Sequence, residues 1–308
     1  MLTRRDVLFV AGAALARQRE TRMAIPRNAC DSHIHVIGDR ARFPFSLNRV
    51  YTPAEATVAQ SRSFHRDLGT TRTVVVQPSV YGADNSCLID ALKQLGASAR
   101  GIAVIDPTVT DADLDAMNTA GVRGVRVNTE TAGVTDPNVG RQRVQAALAR
   151  VSPRNWHVQV FTRLSIIERV QDIVQNSTVP IVFDHFGGAR GELGVGQPGF
   201  DVLVQMVKSG KAYVKISGAY RSSNAAPDYA EMAPFAKALI DANPERIVWG
   251  TDWPHVDSAT VPGRLFTDTA PHLKIDDRRL LDQLAVWAPD PAQRQRILVD
   301  NPARLYGF

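Results

Sequence analysis

A chain of 308 residues, 44% apolar and 22% charged, can bury a large core and shows none of the bias of a disordered, collagen-like or coiled-coil sequence. Its net charge of +5 is spread along the chain, which argues against a nucleic-acid surface and suits a small anionic ligand. The two cysteines, Cys30 and Cys87, cannot form a disulfide framework and lack the spacing of a structural zinc site, so they read as packed thiols.

The chain opens on Thr3-Arg4-Arg5-Asp6, followed by an apolar run from Val7 to Ala16, a pattern similar to a twin-arginine export signal. Residues 1–26 are therefore read as a leader and 27–308 as a single domain. A working signal would place the protein in the periplasm; otherwise it is cytoplasmic. The run is too short to span a bilayer and no other segment approaches the length a membrane helix needs, so no membrane association is expected after processing.

Short β-branched segments then recur along the chain. The predicted strands are 30–36, 73–77, 101–105, 124–128, 157–161, 181–185, 212–217 and 247–250. Amphipathic stretches lie between or after them at 88–95, 111–120, 165–175, 229–242, 278–287 and 291–301. Alternation of this kind predicts an α/β fold with a parallel sheet closed as a (β/α)8 barrel. The glycine-rich stretch 187–199 follows the sixth strand and is expected to be mobile or sharply folded beside the mouth.

In such a barrel the carboxyl ends of all strands open onto one face, so residues far apart in sequence meet there. His33 and His35, two apart on the first strand, project to one side and suit a metal. His185 ends the sixth strand, and Asp252 the eighth, where a carboxylate can take a proton from an attacking water. The four could hold a metal or orient water directly. Arg126 and Arg221, near the ends of the fourth and seventh strands, are candidates to anchor a substrate carboxylate, unless an acidic neighbour claims them. Gln77, Ser79 and Tyr51 would add neutral hydrogen bonds. His157 opens a strand and reads as structural, His65 and His272 as surface residues, and His255 as lining or packing.

Several motifs in order resemble the amidohydrolase superfamily, in the branch of 2-pyrone-4,6-dicarboxylate lactonase, sugar lactonases and galactarolactone isomerase. They are Asp31-x-His33-x-His35, Tyr51-Thr52-Pro53, Gly82-Ala83-Asp84-Asn85, Gly121 to Arg126, Asp184-His185, Trp249 to His255, and Asp300-Asn301-Pro302-x-Arg304-Leu305-Tyr306. The resemblance implies a TIM-barrel hydrolase of carboxylic ester bonds, a lactonase of carbohydrate or aromatic-acid catabolism. It makes Asp252 the general base, has His33, His35 and His185 polarise the carbonyl, and implies one divalent cation, zinc or manganese, or none. A binuclear centre bridged by a carbamylated lysine is not expected, because the fourth strand offers no lysine.

The chain departs from the pyrone-lactonase pattern at Thr129-Glu130-Thr131, which lacks a further arginine, at Phe161 in place of tyrosine, and at Gly188 in place of arginine. A tricarboxylate-like substrate is thus disfavoured, and segments around Tyr220 and Pro244 look closer to the isomerase, favouring an aldarate or aldonate lactone. The expected function is hydrolysis of a small anionic lactone of sugar-acid, pyrone or muconolactone type, by a monomer or homo-oligomer. Lactone isomerisation or metal-dependent nonoxidative decarboxylation on the same barrel are the rival activities.

Overall fold

The computed structural model describes residues 22–258 and 262–308, so the leader signal proposed within 1–21 lies outside the described residues. Met23, inside the stretch read as leader, is already buried against the barrel, its amide donating to Asp282 and its carbonyl accepting from Arg278. No helix among the described residues is long and apolar enough to cross a membrane.

Eight parallel strands follow one another in chain order: β1 Cys30–Ile34, β2 Arg72–Val76, β3 Ala99–Ala103, β4 Val122–Asn128, β5 His157–Phe161, β6 Ile181–Phe183, β7 Ala212–Ser217 and β8 Ile247–Gly250. Helices alternate with them, beginning with α1 Val58–Leu68, α2 Ser86–Leu95, α3 Asp111–Ala120 and α4 Pro137–Val151. Local chemistry sets several helix ends. Thr57 and Gln60 form a reciprocal capping box for α1, Thr110 and Asp113 do the same for α3, and Asp136 caps α4 ahead of its first-turn Pro137. Most of the apolar core lies between strands and helices, while Cys30, Val74, Val76, Ile102 and Tyr306 form a smaller cluster.

The predicted barrel is thus present, with differences at element ends. β1 stops at Ile34 and β6 at Phe183, so His35 and His185 stand just beyond their strands. The helix expected at 165–175 is broken into Leu164–Arg169 and Gln171–Asn176, and the one at 278–287 into Asp277–Asp282 and Leu284–Trp287. The last predicted helix passes through a π-helical turn at Arg296–Asp300. The glycine-rich stretch is sharply folded: a Cβ on Gly188 would stand 2.2 Å from the Thr162 carbonyl oxygen, and the Gln197 side chain pins the loop through the Arg190 backbone.

Closure between β1 and β8 is the step that positions everything at the mouth. The Asp252 amide donates to the His33 carbonyl and the His35 amide to the Trp253 carbonyl, each at 2.8 Å. Beneath them the buried Asp31 carboxylate accepts from the Thr251 amide at 2.9 Å, the Thr251 hydroxyl at 2.6 Å and the His33 amide at 3.2 Å. Gly250 permits this approach, since a Cβ there would lie 2.7 Å from the His33 nitrogen. His65 on α1 also reaches Asp31, at 3.4 Å, and is buried; the expectation of a surface histidine is corrected, because a carboxylate behind the first strand draws it inward.

Thr251→Val keeps the volume but deprives the Asp31 carboxylate of a hydroxyl donor. Urea unfolding is expected to show a loss of about 1–3 kcal/mol, and an unchanged midpoint would show that the seam does not depend on this contact.

Candidate active site

The site is built where the β1–β8 seam meets the ends of β6 and β7. The register of β1 against β2 shifts between Asp31 and Ile34. Cys30 packs in the small cluster with Tyr306 while Asp31 turns out toward His65, yet His33 faces Lys215 and Asp184 inside the barrel. Such an irregularity re-aims a strand's side chains. It lets His33 and His35 converge, their rings edge to face with centroids 5.0 Å apart, although a regular strand with Asp31 outside would carry both histidines outward.

Asp252 is the centre of the arrangement. Its Oδ2 accepts from the Tyr220 hydroxyl at 2.6 Å and from Arg221 Nε. Its Oδ1 is buried without a hydrogen-bond partner and lies 3.5 Å from His33 Nε2, 3.5 Å from His35 Nε2 and 3.9 Å from His185 Nε2. His35 Nδ1 is 2.8 Å from the Val76 carbonyl, which can only accept, so that nitrogen carries a proton and Nε2 is the edge turned toward Asp252. Lone pairs facing one another across a buried space are unsatisfied until a cation or a proton stands between them. His33, His35 and Asp252, and separately His33, Asp184 and His185, bring ligand atoms close enough to hold a metal ion.

Backbone strain accompanies this geometry. His185 and Asp252 both adopt left-handed conformations, with φ of 48° and 69°. These cost of order 1–3 kcal/mol each and persist only where surroundings enforce them. Gly218 makes room, since a Cβ there would meet His185 Nδ1 at 2.9 Å and Asp252 Oδ2 at 3.4 Å. His185 Nδ1 is also 3.0 Å from the Ser217 hydroxyl.

Below the histidines lies an ionic layer not anticipated from the sequence. Asp184 accepts from Arg126 Nε at 3.1 Å and Gln159 Nε2 at 2.9 Å. Lys215, fully buried on β7, donates to the Ser32 carbonyl at 2.9 Å and to Gln159 Oε1 at 2.6 Å, and stands 3.4 Å from His33 Nδ1. Burial pushes the Lys215 ammonium down to about 8, against the opposing pull of Asp184. Burial and the nearby lysine charge push His33 well below the ordinary imidazole range. Burial would raise the Asp252 carboxyl, but the Arg221 guanidinium beside it holds it well below the usual carboxylate range.

The other anticipated residues divide. Tyr51, Ser79, Arg126 and Arg221 line the small recess above His35, His185 and Asp252, with the Ser79 hydroxyl donating to Tyr51 at 3.2 Å. Both arginines also have the acidic neighbours that were the alternative reading, Asp184 and Asp252. Gln77 lines the larger cleft beside the recess and not the recess itself, and its amide donates to the Gly82 and Asp84 carbonyls in the loop after β2. His255 lies 3.4 Å from the Tyr220 hydroxyl and 2.8 Å from Asp277, behind Asp252. His157 is buried as expected of a structural residue, and His272 is half-buried where a surface position was anticipated.

Residues 30–308 match the family model Amidohydrolase. The chain belongs to the amidohydrolase family. It is 34% identical over 300 residues to a 4-sulfomuconolactone hydrolase of Rhizobium radiobacter, covering 95% of this chain and 94% of the relative. Identity is 32%, with 94% of each chain covered, to a 2-pyrone-4,6-dicarboxylate hydrolase of Comamonas testosteroni, and 28%, with 92% of each covered, to a D-galactarolactone isomerase of Agrobacterium fabrum. Among solved structures, Agrobacterium tumefaciens ATU3138 superposes with a TM-score of 0.77 at 28% identity, over 92% of this chain and 97% of that one. The amidohydrolase barrel read from the motifs is therefore the fold and family of this protein.

Burial pushes the imidazoles of His185 and His157 down to about 4 and about 3 from an ordinary 6.5. Between pH 6.5 and 4 the unfolded chain therefore binds protons that the native one refuses. Their contribution is complete above pH 6.5 and falls on acidification, by about 1.4 kcal/mol per pH unit for each imidazole. Chemical denaturation at pH 7.5 and 5 should show this loss; equal stability at both would mean the rings are not held neutral.

Proposed function

We propose that this protein hydrolyses the ring ester of a small anionic lactone, with Asp252 Oδ1 as the general base. The observation that carries the reading is the division of labour within one carboxylate. Tyr220 and Arg221 hold Oδ2, while Oδ1 is left unpartnered against the imidazole edges of His33, His35 and His185. A base held in this way keeps its orientation and, being well below the usual carboxylate range, is ionised at neutral pH. The hydrolase names of the more similar relatives support the substrate class, and they favour a muconolactone- or pyrone-like ring over the aldarate lactone suggested by the sequence segments.

Water placed against Oδ1 gives up a proton as its oxygen attacks the lactone carbonyl, and the carbonyl oxygen gathers charge beside the histidine cluster. Arg126 and Arg221, which also line the recess, would hold the substrate's acidic end while keeping their contacts to Asp184 and Asp252. When the tetrahedral centre collapses, the ring C–O bond breaks and the leaving oxygen takes up the proton held by Asp252, giving the open hydroxy or keto acid. The orphaned Oδ1, with His33 and His35 nitrogens 3.5 Å from it, fits one divalent cation held by His33, His35 and Asp252, and His185 Nε2, 3.9 Å from the same oxygen, would complete the set. Such an ion would polarise the carbonyl and lower the pKa of bound water. His185 and His33, kept neutral by burial, remain able to ligate at neutral pH.

Asp252→Asn keeps the shape and removes the base. With a turned-over muconolactone or pyrone lactone, kcat is expected to fall about a thousandfold while substrate binding, followed by calorimetry, changes little. Retention of kcat in this variant would remove Asp252 from the base role.

A further inference from the structure

The recess directly over Asp252 encloses only about 30 Å³. That is the share of roughly one water molecule, room for the attacking oxygen or the carbonyl and not for a lactone ring. The recess shares Ser79, Arg126, Asn128 and Thr131 with a much larger side cleft of about 670 Å³. A ring whose carbonyl sits over Asp252 extends out of the recess toward this cleft, whose volume falls in the roughly 300–1,000 Å³ range of pockets for drug-sized ligands.

The cleft's construction says what fills the remainder. Along β4, Arg126 turns inward to Asp184, so the alternating Val125 and Val127 turn outward, and the cleft is lined by both sets. Its far wall is one face of α4, where Arg143, Ala146, Ala147 and Arg150 recur at positions i, i+3, i+4 and i+7. The two alanines leave the space open and give it an apolar wall opposite Val127 and Val104. Arg150 is occupied by Asp111 and the Val109 carbonyl, and Arg49, on the opposite rim, by Thr52 and the Ser46 carbonyl. Arg143 is exposed and has no ion pair or hydrogen bond among the described residues.

We infer that the side cleft is a second substrate subsite, taking an apolar arm carried by the lactone ring, with Arg143 receiving a carboxylate or sulfonate at the arm's end. The inference rests on the lactone reading and narrows it: the preferred substrate is a ring with an anion-tipped arm longer than the short acidic groups that Arg126 and Arg221 can reach. The arm lies against Val127, Ala146 and Ala147, and its burial there adds affinity that a bare ring lacks.

Two measurements on the full chain separate this from the reading beneath it. Straight-chain dicarboxylates probe the subsite without any need for turnover. By calorimetry, suberate is expected to bind about tenfold more tightly than succinate, and both Arg143→Gln and Ala146→Trp, the latter filling the cleft from an exposed position, should bring the ratio close to one. Equal binding of the two acids, no binding of either, or a ratio unchanged in both variants would overturn the subsite. In parallel, kcat/KM for a butenolide bearing an ω-carboxyalkyl arm is compared with that for the bare ring, and the arm's advantage should shrink in both variants. If suberate binding behaves as expected and neither lactone is opened, the subsite stands and the lactonase reading falls. If the bare ring is opened and the arm brings no advantage, the lactonase reading stands and the subsite falls.

Discussion

The buried Asp31 carboxylate is the fixed point of the barrel mouth. It gathers the Thr251 amide and hydroxyl and the His33 amide into one cluster and so staples the last strand to the first. Unlike a surface ion pair, this bridge is worth its desolvation only because every contact is a hydrogen bond made inside the protein. The two backbone bonds just above it, from Asp252 to His33 and from His35 to Trp253, place the carboxylate and two of the three imidazoles on the same rigid seam. Glycines at 250 and 218 allow the close approach, and left-handed conformations at His185 and Asp252 complete it. The strain is borne by His185 and Asp252, two members of the cluster itself.

Charge is layered beneath the seam in a way that serves the site. Lys215, Asp184, Arg126 and Gln159 form a buried lattice across β4 to β7, and the Lys215 charge helps keep His33 neutral. Above it, Arg221 and Tyr220 hold one oxygen of Asp252 and leave the other to the reacting centre. The barrel thus meets two opposed demands within one buried cluster: His33 and His185 are held uncharged, and Asp252 is held charged. The larger side cleft opens beside the same centre.

The barrel was legible because buried parallel strands read as short β-branched runs and their spacing leaves room for one helix each. The meeting of His33, His35, His185 and Asp252 was legible because each sits beside a strand end within a recognisable motif. What the sequence concealed depends on pairing across strands. Lys215 was visible as a lone charge in the otherwise apolar 212–217 run, yet nothing local says that it meets Gln159 and the Ser32 carbonyl. His65 looked like a surface residue because no partner stands near it in the sequence, and only the barrel brings Asp31 behind it. Arg126 and Arg221 were read as anchors or as ion-pair partners, and both features coexist, since each lines the recess while bound to a carboxylate. The early ends of β1 and β6 follow from the register shift and the left-handed turn at His185, neither of which has a residue-level signature in the chain.

The central claim is that water, and not a hydroxyl of the substrate, attacks the lactone carbonyl at Asp252. Turnover of a muconolactone or pyrone lactone in oxygen-18 water, with the product read by mass spectrometry, tests it most directly. The account predicts an open acid carrying one solvent-derived oxygen in its new carboxylate. A rearranged lactone free of label would contradict it and assign the site to isomerisation.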